Sequence, residues 1–243
     1  MKRTAWDGFA KARDRYRREI ARLDRKLPQL QSLQQMLVSS RGDSYLVETP
    51  VVYNGALDDI CADSDIRLIL VADNPGRREQ AAENRRYLVG PSGKIAEKFF
   101  GNNPVFNIDF RKNVIILNKT PIHTPRTAGL RELCRLGGTD IEAALLQSQR
   151  FMANLLLEFH KALVTPVWIT GYSEMKKGGI FESYTDEVKT VYEGTGLKEM
   201  ILIYRHFSMN QFTIDLKQQA MANETPDRTL ARIGTIYRKK YLF

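Results

Sequence analysis

The strongest constraint on the fold is segment 67–72, which is an unbroken apolar run after Arg67 and stops at Asp73-Asn74-Pro75-Gly76. The run is rich in branched side chains and too short for an ordinary helix, so it predicts a buried parallel strand that ends in a loop. In open α/β sheets, ligands bind outside the carboxyl ends of the strands. Asp73 and Asn74 are therefore candidate site residues, with Pro75 fixing the backbone and Gly76 allowing a ligand to come close. The alternative is a solvated turn, because Asn-Pro and Pro-Gly are common turn dipeptides.

Three later segments have the same strand-like character, and helix-like polar segments separate them. One of these helices is predicted from the Thr139-x-x-Glu142 capping box to about Leu163. Strand–helix alternation predicts an α/β fold with a mostly parallel sheet that is covered on both faces. The later predicted strands are residues 113–118, 167–170 and 200–204, and two C-terminal helices are predicted at about 211–222 and 226–240.

The first 44 residues read as a basic helical N-terminal arm, packed on or hinged to an α/β domain of residues 45–243. Residues 2–26 hold ten basic and four acidic residues, so six of the nine net positive charges lie there. Such a charge suits a polyanionic partner, because binding to phosphates releases counterions. A solvated helix face is the alternative explanation.

Several classes of protein are disfavoured by the sequence. No apolar run approaches the ~20 residues that a membrane helix needs, and the N-terminus is charged where a signal peptide has an apolar core. Cys61 and Cys134 are too few for a disulfide framework and lack metal-ligand spacing. The chain is therefore expected to be cytoplasmic, with no membrane segment and no metal site. A monomer without a cofactor is a separate expectation, which does not follow from these features.

Polar residues also follow the second and fourth predicted strands, at Asn118 and at His206 and Ser208. Carboxyl ends of parallel strands lie on one rim, so these residues are expected to share a pocket with Asp73 and Asn74. An asparagine amide matches the N3–H and O4 of uracil, and an imidazole can donate to an oxygen that gains negative charge. The alternatives are that Asn118 caps a strand and that His206 is satisfied by backbone. Two other histidines are assigned no catalytic role: His123 is expected on the surface, where a position near phosphate is one option, and His160 is expected to be structural.

The order of these motifs resembles that of the uracil-DNA glycosylase superfamily. Residues 72–76 resemble its first motif, 114–118 its second and 206–208 its third, while 87–93 are similar to a segment of its iron–sulfur branch. Two cysteines do not supply the four thiolates of that branch, so no cluster is expected. The resemblance implies a three-layer α/β/α sandwich around a four-stranded, mostly parallel sheet.

The resemblance also implies an activity: hydrolysis of the N-glycosidic bond of uracil, or of a related damaged base, flipped out of DNA. Asn74 or Asp73 would activate water, Asn118 would read the base, and His206 would stabilise the departing anion. Tyr87 or Leu88 would form the pocket floor, and Ser208 would help to hold the base. Residues expected to contact DNA are Pro75, Gly76, Gly90, Ser92, Lys94, Met209 and Asn210, the last two in a loop that enters the base stack.

Three residues depart from the family pattern: Ala72 replaces a glycine, Leu88 a stacking phenylalanine and Phe207 a proline. These departures keep two other functions open. One is a non-catalytic nucleic-acid-binding protein on the same fold. The other is a hydrolase or transferase of small nucleotides that uses the same rim of the sheet.

Overall fold

A computed structural model describes all residues from 1 to 243. Its four strands are β1 (Leu68–Ala72), β2 (Val114–Asn118), β3 (Val167–Thr170) and β4 (Ile201–Tyr204). They form one parallel sheet in the order β2-β1-β3-β4, in which Ala72 lies beside Asn118. The predicted α/β fold with a parallel sheet is confirmed.

Eight α-helices surround the sheet, and apolar side chains fill both of its faces. Alternate residues of a strand point to opposite faces, so Ile69 and Val71 belong to one apolar cluster, while Leu68 and Leu70 belong to another. The helices are α1 (Arg3–Lys26), α2 (Leu30–Ser40), α3 (Arg77–Gln80), α4 (Pro91–Asn102), α5 (Gly129–Leu163), α6 (Glu182–Tyr192), α7 (Gln211–Gln219) and α8 (Pro226–Tyr241). None of them combines the length and the apolar character that crossing a bilayer requires.

Helix α5 is interrupted at Gly138, whose backbone has φ +64° and ψ −157°. A side chain is strained at such a φ, so glycine suits this position. The helix predicted to start at Thr139 is present after the break. The preceding helical turns from Gly129 were not predicted, nor was α6.

The N-terminal segment 1–44 packs against the rest of the chain through the apolar face of α1. Phe9, Tyr16 and Leu23 are buried in the same cluster as Ile69 and Val71 of β1. Part of the positive charge of α1 is paired, because Arg17 contacts the Asp58 carboxylate at 2.6 Å. The segment thus contributes to the core that supports the sheet.

Candidate active site

A cavity of about 510 Å³ opens beyond the carboxyl ends of β1 and β4, and we call it the strand-end cavity. Loops that follow the strands provide most of its walls, and the start of α4 provides the rest. Of the residues predicted from the sequence, those that line it are Asp73, Asn74, Gly76, Leu88, Gly90, Ser92, His206 and Ser208. The others are found around it: Pro75, Tyr87, Lys94, Asn118, Met209 and Asn210 do not line it.

Asn74 is held in one orientation by the loop that follows β2. Its Nδ2 donates to the Thr124 hydroxyl at 2.9 Å and to the Thr124 carbonyl at 3.3 Å. The amide hydrogens are therefore occupied, which leaves Oδ1 as an acceptor for a ligand or a water. Thr124 was not predicted as a site residue.

Asp73 forms a buried ion pair that the sequence did not predict. Its Oδ1 accepts from the Lys119 ammonium at 2.5 Å, and the same ammonium donates to the Thr170 carbonyl at 2.5 Å. Lys119 is fully buried, and this burial lowers the pKa of its ammonium while the Asp73 charge opposes the shift. Gly171 makes room for the pair, because a Cβ there would lie 2.4 Å from Asp73 Oδ1. The carboxylate is thus neutralised and fixed, and Lys119 is part of the site.

His206 presents a hydrogen-bond donor at the cavity. Its Nδ1 accepts from the backbone N–H of Ser208 at 3.0 Å, so the neutral ring carries its proton on Nε2. Burial lowers the pKa of His206; the nearby Asp73 charge opposes this shift and the Lys119 charge adds to it. The ring is therefore a neutral donor near pH 7. Phe207 anchors the loop, since it is fully buried and stacks on Phe212 with ring centroids 4.3 Å apart.

Asn118 is withdrawn from solvent and has an unused donor. The residue is 1% exposed, and its Nδ2 has no hydrogen-bond partner. It lies beside Ala72, which lines the cavity, in the register of β1 and β2. A buried donor without a partner costs about 1–3 kcal/mol, so native proteins rarely keep one without a use. The small Ala72 side chain is compatible with a ligand that reaches this amide.

The floor of the cavity is formed by Leu88 rather than Tyr87. Leu88 has a φ of +53° and its carbonyl accepts from Arg111 at 2.9 Å. The Tyr87 hydroxyl instead donates to the Val52 carbonyl at 2.7 Å, in a fully buried position behind the cavity. Gly93 packs so closely on Leu88 that a Cβ there would lie 1.5 Å from the Leu88 carbonyl oxygen.

Glu79 connects the loop after β1, at Gly76, with the segment before α4, at Leu88. It was not predicted as a site residue. Its carboxylate accepts from the backbone N–H of Gly76 at 3.0 Å and from that of Leu88 at 2.9 Å. Burial raises the pKa of Glu79 to about 7, against the effect of both hydrogen bonds. The Gly76-x-x-Glu79 spacing resembles a capping box, so the sequence contained a signal for this contact.

His123 was expected on the surface, and that expectation is wrong. It is fully buried; its Nδ1 donates to the Pro75 carbonyl at 2.9 Å, and its Nε2 contacts the Tyr45 hydroxyl at 3.1 Å. Burial lowers its pKa to about 4. The loop is covered because a bridge between Val51 and Ile122 brings segment 45–53 over it. His160 is also buried, and its Nδ1 pairs with the Tyr192 hydroxyl at 3.0 Å.

The loop after β4 projects an apolar side chain into solvent. Met209 is 83% exposed, and both Met209 and Asn210 have positive φ values, of 52° and 58°. Lys94 is exposed on α4, and Pro75 is buried beneath the first loop. Met209 therefore protrudes from the loop that carries His206.

No group of three or more His, Cys, Asp or Glu side chains is arranged to hold a metal ion. Both cysteines are free thiols. No protein-family model matches the chain, and no curated protein sequence matches it significantly.

Proposed function

We propose that this chain is a DNA glycosylase of the uracil-DNA glycosylase type, which hydrolyses the N-glycosidic bond of uracil or of a related damaged base. The observation that carries the proposal is the unpartnered Nδ2 of Asn118 beside a cavity that also contains the acceptor of Asn74 and the donor of His206. The single four-stranded parallel sheet agrees with the fold that the resemblance implies.

The chemistry requires opposite groups on the two sides of the scissile bond. When the bond between the sugar C1′ and the base nitrogen breaks, its electron pair leaves with the base and the sugar becomes cationic. The Nε2–H of His206 donates to the base oxygen that gains charge, and Asn118 bonds the edge of the ring. The Oδ1 of Asn74 accepts from the water that adds to C1′, and the proton of that water is released to solvent. One preorganised donor of this kind lowers the activation barrier by about 3–4 kcal/mol.

The two candidates for activating water, Asp73 and Asn74, differ in whether their acceptor oxygens already have hydrogen-bond partners. The Asp73 carboxylate is bonded to Lys119 Nζ at 2.5 Å and to the Thr127 hydroxyl at 3.4 Å. The Oδ1 of Asn74 is the free acceptor. We therefore assign the water to Asn74, and we assign to Asp73 the role of fixing the loop and neutralising Lys119.

The surroundings of the cavity also suit a base that is flipped from DNA. The volume of about 510 Å³ lies within the usual range of small-molecule sites. Flipping costs a few kcal/mol, which an inserted apolar side chain and contacts in the pocket offset. Met209 is the candidate for insertion, because it is the most exposed large apolar side chain of the chain.

A strand-cleavage assay on uracil-containing oligonucleotides tests the proposal. After alkali treatment, wild type is expected to cleave at the uracil. Asn74→Ala, Asn118→Ala and His206→Ala are each expected to be about 10²–10³-fold slower. Thr190→Ala is the matched control, since Thr190 lies in a separate groove between α5 and α6. Absence of cleavage by wild type on every lesion tested would overturn the enzymatic proposal.

One observation favours a second candidate, a nucleic-acid-binding protein without base release. The Asp73 carboxylate is already paired with Lys119, and both oxygens of Glu79, the other carboxylate of the cavity, already accept backbone N–H groups. Salt-dependent binding of DNA by wild type, with no release of any base, would support this candidate.

A further inference from the structure

Three arginines at the mouth of the strand-end cavity have no acidic partner. Arg77 and Arg78 open the short helix α3 after β1, and Arg126 comes from the loop after β2. Twelve other arginines of the chain pair with carboxylates; Arg41, for example, contacts Glu132 at 2.7 Å. All three are exposed, and none forms an ion pair.

The carboxylates that line the cavity are not available to these arginines. Asp73 is paired with Lys119, and both oxygens of Glu79 accept backbone N–H groups. The mouth therefore carries an excess of positive charge that the protein itself does not compensate. An anionic ligand would supply the missing partner.

The guanidinium of Arg77 is held in place by a chain of contacts. Its central carbon lies 4.9 Å from the centroid of the Tyr45 ring. The Tyr45 hydroxyl bonds His123 Nε2, and His123 Nδ1 donates to the Pro75 carbonyl. Stacking uses the flat face of the guanidinium and leaves its N–H edges free for a bidentate contact. The aromatic ring thus orders the arginine before any ligand binds.

We propose that Arg77, Arg78 and Arg126 form a phosphate clamp, which holds the sugar–phosphate backbone on both sides of the nucleotide in the cavity. The ligand class is the phosphodiester of a nucleic-acid strand. Because the three side chains come from α3 and from the loop after β2, they suit several phosphates along a strand better than one terminal phosphate. The clamp rests on the proposed function for the identity of the nucleotide, but its binding is measurable without base release.

Salt-dependent binding of a fluorescent single-stranded oligothymidine, which contains no uracil, tests the clamp. Each phosphate contact to a single strand contributes about 0.7 to the slope of log affinity against log salt. The triple variant Arg77→Ala, Arg78→Ala, Arg126→Ala is therefore expected to lower this slope by about 2. The matched control is Arg18→Ala, Arg25→Ala, which removes two exposed arginines of α1 that have no ion pair, and it is expected to leave the slope unchanged.

Two further arms decide how a loss of slope is interpreted. Replacing the three arginines by lysine is expected to restore most of the slope, because the charge is kept, and this would exclude a folding defect. Competition with deoxyuridine monophosphate is expected to be weak at concentrations where the oligonucleotide saturates the protein. An equal loss of slope in the α1 variant would overturn the clamp, as would competition by the mononucleotide as strong as that by the oligonucleotide. Binding that depends on the clamp, without any base release, would refute the glycosylase proposal alone.

Discussion

The groove between α5 and α6 and the strand-end cavity differ in volume and in how their polar side chains are buried and partnered. A groove of about 900 Å³ lies between α5 and α6, whereas the strand-end cavity measures about 510 Å³. The charged side chains of the groove are mostly partnered close to the surface: Arg131 contacts Glu174 at 2.8 Å, and Asn154 donates to Glu187 at 2.7 Å. The strand-end cavity instead is lined by the buried Glu79. Two other lining residues, Asp73 and Ala72, lie against the fully buried Lys119 and against Asn118 with its unused donor.

The difference between the two regions is one of electrostatic cost. A solvated ion pair costs little to form and contributes about 0–1 kcal/mol. A charge or an amide removed from water costs several times more unless it is partnered. Side chains that are kept in such positions indicate a ligand, and the volume of a depression does not. Three experiments test this contrast, in order of decreasing expected effect.

The largest effect is expected from Lys119→Met. The substitution leaves the Asp73 carboxylate without its cation in a mostly buried position, and breaking a buried pair costs about 3–5 kcal/mol of unfolding free energy. Arg131→Ala breaks the ion pair beside the groove, whose two side chains are 38% and 31% exposed, and should cost about 1 kcal/mol or less. Urea denaturation at pH 7 measures both values. Equal losses for the two variants would remove the electrostatic distinction between the two regions.

The next effect concerns Glu79 and its dependence on pH. The folded protein holds the Glu79 proton more tightly than the unfolded chain does, because the pKa rises from 4.5 to about 7. Wild type is therefore expected to lose about 3 kcal/mol of stability, relative to Glu79→Gln, as the pH rises from about 4.5 through about 7. Denaturation at pH 4.5, 6 and 8 measures this difference, with Glu187→Gln in the groove as the control. A difference that stays constant with pH would show that folding does not raise the pKa of Glu79.

The sheet was predictable because each buried parallel strand is an unbroken apolar run. All four strands begin and end within one residue of the predicted limits, and Asn118 is at the end of β2 as expected. The positions of the groups that follow the strands were predictable for the same reason, since parallel strands place their carboxyl ends on one rim. Helix α6 was not predicted, although the buried Tyr184, Val188 and Tyr192 recur in it at helical spacing.

The contacts that make the site polar were not predictable from local sequence. Lys119 directly follows the end of β2, where a charged residue is expected in solvent. Nothing near it in the sequence indicates that its ammonium donates a hydrogen bond to the carbonyl of Thr170, 51 residues later. His123 lies among prolines that suggest a surface loop, yet a distant segment covers it. Glu79 is different, because the spacing from Gly76 is a local signal.

The smallest effect comes from removing the unused donor of Asn118. Asn118→Leu is expected to raise the free energy of unfolding by about 1 kcal/mol, because it replaces an unpartnered buried amide by an apolar side chain of similar size. The same variant should lose base release, as expected where stability is given up for function. Asn154→Leu is the matched control beside the groove; it should lose about 1 kcal/mol, since the Asn154 amide donates to Glu187 and to the Arg150 carbonyl. Urea denaturation shows whether the free energy of unfolding rises or falls in each variant. If Asn118→Leu were destabilising by as much as Asn154→Leu, the amide would have a partner in the free protein, and the case for a base at this position would lose its main support.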